Sequence, residues 1–169
     1  DEMYLKLLYR CKMGRSLNLN NPLTFSEKLQ WLKLNDRKPA YTAMVDKYEV
    51  RAHIAKKVGE DCLVPLLGVW NNPDEIDFND LPNQFVLKCT HDSGGLVICK
   101  DLKHLDIKAA KHRLKKCLER DFFLLGREWP YKNVKPRIIA EEYLCDEKHE
   151  DLLDYKFFCF SGVPTYCQV

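Results

Sequence analysis

The sequence predicts an α+β fold. Helical periodicity dominates up to Gly59, short apolar runs bounded by turn residues take over from Leu63, and one amphipathic stretch, Ile107 to Glu119, interrupts them. The 169 residues suffice for one substantial core. With 46% hydrophobic and 31% charged residues, the composition is that of a soluble globular domain. A net charge of +2 does not imply a nucleic-acid surface. No apolar run approaches the roughly 18 residues of a membrane span, and no signal peptide stands at Asp1, so a cytoplasmic chain is expected, with room for peripheral membrane contact.

In chain order, Met3, Leu7, Leu8 and Cys11 mark a first helix from Asp1 to Met13, with Gly14 as its stop. Asn20-Asn21-Pro22 breaks the chain. Thr24-Phe25-Ser26-Glu27 has capping-box spacing ahead of Leu29, Trp31, Leu32 and Leu34, which predicts a helix to about Asn35. A third helix is expected from Asp46 through Tyr48, Val50, Ile54 and Val58 to Gly59. Leu63 to Trp70 then reads as a strand and Asn71-Asn72-Pro73 as a turn.

The segment FVLKCTHDSGGLVICK, Phe85 to Lys100, is the most informative. Two apolar, β-branched runs flank Thr90-His91-Asp92-Ser93-Gly94-Gly95, which predicts a hairpin with a long polar tip. Gly94 and Gly95 allow backbone N–H groups close to an anion, and Lys88 and Lys100 could add positive charge. The loop joins strand to strand and matches neither the Walker A nor the Rossmann pattern. Alone, it is equally well an ordinary hairpin with solvated lysines.

The helix Ile107 to Glu119 has Ile107, Ala110, Leu114, Cys117 and Leu118 on one side; its basic face, without interleaved aromatics, reads as solvated. The connection GREWPYKNVKPR follows. Its Arg127, Trp129, Tyr131 and Lys132 suit either an acceptor site or a packed aromatic corner. Ile138-Ile139-Ala140 is a strand ending in Glu141-Glu142-Tyr143-Leu144; the acidic loop Cys145 to Asp151 leads to a second hairpin, Tyr155 to Phe160 and Thr165 to Val169, turning at Ser161 to Pro164. The eight cysteines lack zinc-type pairing; Cys62, Cys99, Cys117 and Cys159 fall in apolar patterns as reduced, buried side chains. Cys89 beside His91 is a poor nucleophile candidate, since an activated thiol needs a positioned base.

Asp46-Lys47 opening a helix, Lys88 before a glycine loop, an acidic strand end and Asp154-Tyr155-Lys156 together suit a nucleoside triphosphate: cations and amides for phosphate, a strand end for the base, carboxylates for ribose. The segments TFSEKLQWLKLND, DKYEVRAHIAKKVGEDCLVPLLGVW, LPNQFVLKCTHDSGG, GREWPYKNVKPRIIAEEYL and LDYKFFCFSG resemble the TupA-like ATP-grasp family, associated with teichuronopeptide and capsular polysaccharide biosynthesis in bacteria.

The resemblance implies an ATP-grasp-like fold. It would have an N-terminal helical segment (1–60), a lid subdomain with a β-hairpin phosphate loop (61–140), and a hinge with the start of a larger antiparallel core sheet, truncated (141–169). It makes Lys47 and Lys88 the phosphate-binding lysines and His91, Asp92, Ser93, Gly94 and Gly95 a flexible phosphate-covering loop. Glu141, Glu142, Tyr143 and Leu144 become the adenine-holding hinge, Asp154 a ribose or substrate contact, and Lys156 a catalytic basic residue near the transferred phosphate.

The implied cofactors are ATP and Mg²⁺, and the implied partners are carboxylate- and amine-bearing polysaccharide or peptide precursors, joined through an acylphosphate, with no nucleic acid. The family's metal ligands, an acidic pair and an Asn, are expected beyond Val169, so the chain alone is expected to be inactive. A glycosyltransferase of the same pathway is the main alternative, although no two aspartates form Asp-x-Asp; a non-catalytic nucleotide-binding module is the other.

Overall fold

The computed structural model describes residues 1–145 and 152–169. The expected acidic loop lies largely outside these residues. The fold is α+β: helices, a four-stranded antiparallel sheet and a separate two-stranded one.

Helix α1 (Glu2–Met13) ends at Gly14, whose φ of 67° supplies the left-handed cap. Its buried face is Leu5 and Tyr9, packed with Leu17, Leu19 and Leu34, whereas Met3 and Leu7 are exposed. The expected apolar face is therefore rotated: both stripes have helical spacing, and tertiary contact with the following loop and α2 selects one. Helix α2 (Phe25–Asn35) opens on the predicted capping box, with Thr24 accepting from the Glu27 amide and Glu27 accepting from the Thr24 amide.

A short helix α3 (Ala40–Val45), absent from the sequence reading, precedes α4 (Glu49–Val58). It begins right after Pro39 and has too few residues for a periodic signal. Asp46 lies in the turn between them and accepts from the amides of Tyr48 and Glu49 at 2.8 and 3.3 Å.

Strands β1 (Leu66–Trp70), β2 (Phe85–Cys89), β3 (Leu96–Cys99) and β4 (Ile138–Glu142) form the larger sheet in the order β1-β4-β2-β3, with every pairing antiparallel. Helix α5 (Ile107–Leu118) covers one face. Phe85, Leu87 and Cys89 alternate onto that face with Ile138 and Ala140, and Ala110, Leu114 and Cys117 of α5 close the core. Val86 and Lys88 point to the opposite face, where the register sets Glu141 against Val86 and Ile139 against Lys88. The sheet thus separates an apolar layer from a charged one.

The one-turn helix α6 (Phe123–Gly126) leads to the aromatic connection, and strands β5 (Lys156–Phe160) and β6 (Val163–Gln168) form the second hairpin. Ser161 and Gly162, at φ 51° and 83°, make its tight turn, so Val163 and Pro164, expected in the turn, belong to β6. The hairpin meets α2 through an edge-on Phe160–Phe25 pair at 6.4 Å. Cys89, Cys99 and Cys117 are buried; Cys62 and Cys159, expected inside, are exposed, because both strands of the second hairpin are exposed along their length and Cys62 sits in the turn after α4.

Candidate functional site

The site is built on the charged face of the sheet, where β2 runs into the glycine loop. Lys47, forty-one residues before Lys88 in the chain, reaches this loop: its amide donates to the Thr90 carbonyl at 3.2 Å, and its Nζ donates to the carbonyls of Cys89 (3.0 Å) and Asp92. Burial lowers its pKa from the ordinary lysine value. Thr90 fixes the other side of the loop. Its amide donates to Arg137 O at 2.9 Å, and its hydroxyl accepts from the Arg137 amide at 3.2 Å. Arg137 pairs with Asp46 at 2.9 Å and Glu49 at 2.6 Å and stacks on Tyr48, so the turn that carries Lys47 is tied to the start of β4.

The loop itself differs from a freely solvated polar tip. His91 and Asp92 are buried, and His91 Nε2 lies 3.1 Å from Arg120 O. His91 Nδ1 and Asp92 Oδ2 are buried without a hydrogen-bond partner among the described residues. Only Ser93 and Gly94 are exposed. Gly94 has φ 92°, and a Cβ on Gly95 would collide with the Asp92 carboxylate and lie 2.7 Å from Cys117 Sγ, so both positions require glycine. His91 and Asp92 therefore anchor the loop from behind, and its tip presents backbone.

Lys88 donates from Nζ to Glu141 Oε2 at 2.5 Å, diagonally across β2 and β4. The other Glu141 oxygen accepts from Arg51 Nη1 at 2.9 Å, and Arg51 Nη2 donates to Val64 O at 2.6 Å. Sequence reading missed Arg51. A lysine- and arginine-bearing helix face looks solvated until the strand pairing brings Glu141 to it, and only the acidic strand end could have hinted at a cationic partner.

Beyond Glu141, the Glu142 amide donates to Pro65 O at 3.1 Å and is thereby committed within the protein. Tyr143 is half-buried and Leu144 exposed. Asp154 and Lys156 pair with each other on the exposed hairpin; among the described residues neither bonds to Lys47, Lys88 or the loop. Lys100 is an exposed strand end. Burial, followed by the Asp92 charge, pushes the Cys89 thiol up to about 12, which removes it as a nucleophile.

Arg127, Tyr131 and Lys132 belong to an aromatic corner, and Trp129, in the same connection, is half-buried. Arg127 lies over the rings of Tyr4 and Phe123 at 4.7 and 5.3 Å, Lys132 lies over Phe123, and Tyr131 packs edge-on against Phe122 at 4.8 Å. Among the described residues, no group of three or more His, Cys, Asp or Glu side chains is arranged to hold a metal ion.

A lysine beneath a strand-to-strand glycine loop, a second lysine on the strand feeding it and an acidic strand end paired with that second lysine form one ordered constellation, and the profile of the TupA-like ATPgrasp family matches residues 27–169. The chain belongs to this family. No curated protein and no solved structure matches it. As a TupA-like ATPgrasp chain, it carries an ATP-grasp-type domain whose candidate ligand face is the one opposite α5. Among the described residues no helix is long and apolar enough to cross a membrane.

Proposed function

We propose that this chain binds ATP on the charged face of its sheet, as the nucleotide-binding part of a ligase-like enzyme that activates a carboxylate as an acylphosphate in bacterial cell-surface polysaccharide synthesis. The observation that carries the proposal is the convergence of Lys47, Lys88 and the Gly94-Gly95 loop on one face, from segments far apart in sequence. Lys47 and Lys88 would meet phosphate oxygens together with the amides of Ser93, Gly94 and Gly95. The strand end Glu141 to Leu144 would face the base, chiefly through Leu144 because the Glu142 amide is taken.

Phosphoryl transfer needs positioning and neutralisation of charge on the transferred group, which Lys47, Lys88 and the loop amides would supply once Lys88 exchanges Glu141 for phosphate. We assign Asp154 to ribose or substrate and Lys156 to the transferred phosphate or acceptor, and divide the chain into a helical segment (1–60), a lid (61–140) and the hinge with the start of the second subdomain (141–169). The family's Mg²⁺ does not fit the described residues: Asp46 and Glu49 are neutralised by Arg137, and Glu141 by Lys88 and Arg51.

Calorimetric titration with ADP and with a uridine nucleotide sugar tests this reading. ADP binding that Lys88→Met weakens by about 10- to 100-fold supports it; preference for the nucleotide sugar points to a glycosyltransferase, and binding of neither leaves a module without nucleotide function.

A further inference from the structure

The Arg51 side chain is 15% exposed and holds two acceptors, Glu141 Oε1 and the Val64 carbonyl, while the Lys88 side chain, 34% exposed, holds the remaining carboxylate oxygen of Glu141, a side chain only 10% exposed. Two cations thus share one buried anion, and the more accessible one is the lysine. A buried carboxylate stripped of its only partner is strongly unfavourable. If Lys88 were that partner, it could not leave for a ligand.

We propose that Arg51 is a positioning residue that neutralises Glu141 permanently and so allows Lys88 to exchange the carboxylate for the phosphate of an anionic ligand. Arg51 does not touch the ligand; it sets the cost of releasing Lys88. That the ligand is a nucleotide rests on the proposed function, whereas the hold of Glu141 on Lys88 is a property of the ligand-free chain and can be measured there.

Competitive acetylation with acetic anhydride, read by peptide mass spectrometry against the exposed Lys100, reports the availability of Lys88. R51M is expected to lower Lys88 labelling by about threefold or more, because Glu141 then keeps the lysine to itself. R51K, which retains the charge, restores most of the labelling, and R51M/E141Q labels like E141Q. ADP affinity is expected to fall about tenfold on R51M when Glu141 is present and to be unchanged by R51M in the E141Q background.

Unchanged Lys88 labelling in R51M overturns the inference whether or not nucleotide binds. So does an equal loss of ADP affinity in both backgrounds, which would mean that Arg51 contacts the ligand. Labelling that shifts as expected in a chain that binds no ADP upholds the role of Arg51 and removes the nucleotide reading instead. R51Q keeps a donor for the Val64 carbonyl without the charge and gives the same comparison should R51M not fold.

Discussion

Lys88 and Glu141 meet diagonally across β2 and β4 with Nζ 2.5 Å from Oε2, on the face of the sheet that α5 leaves uncovered. On the proposed reading, replacing Lys88 by Met would remove a charge-assisted contact to phosphate and is expected to weaken ADP binding by about 10- to 100-fold. Arg51 still pairs with Glu141 in this variant, so thermal unfolding should shift little. Calorimetry and a melting curve on the same sample check both halves.

The buried Cys89 thiol imposes an alkaline limit. It is pushed up from 9.0 to about 12, so the unfolded chain gives up this proton before the folded one does. Its contribution to stability is full below pH 9 and is lost as pH rises toward 12. Cys89→Ala should therefore flatten the fall in stability across that window, measured by denaturant unfolding at pH 8 through 11.

Gly95→Ala drives a methyl group into Asp92 and Cys117, and is expected to cost about 1–3 kcal/mol by overpacking. Gly94→Ala meets open space but must hold φ 92°, with an expected cost of about 1 kcal/mol. For a chain of this size each kcal/mol lowers Tm by about 2–4 °C, so calorimetric scans separate the two variants.

Arg127→Ala removes the stacking on Tyr4 and Phe123, worth about 0.5–2 kcal/mol. ADP binding should be untouched. Reduced stability with intact binding identifies a structural corner; intact stability with altered acceptor use would restore the acceptor-site reading.

Local signals were legible in the sequence because their partners are near in the chain. The Thr24–Glu27 box, the Gly14 stop and both hairpins depend on residues a few positions apart. The buried face of α1 is not legible in the sequence, because Leu5 and Tyr9 are chosen by Leu17 and Leu34, not by periodicity alone. Of the site, the glycine loop and Lys88 stood out, since glycine pairs and strand lysines are locally unusual. Arg51 did not: its partner lies ninety residues on, and only the β1-β4-β2 order brings Glu141 to it. The inward turn of His91 and Asp92 was equally hidden, because it depends on α5 and Arg120.

Amide hydrogen exchange of the chain with and without ADP tests the central claim most directly. The account predicts nucleotide-dependent protection in Lys88 to Gly95 and in Glu141 to Leu144, and none on α1 or the exposed side of α5. Protection confined to those helices, or to the aromatic corner, would contradict it.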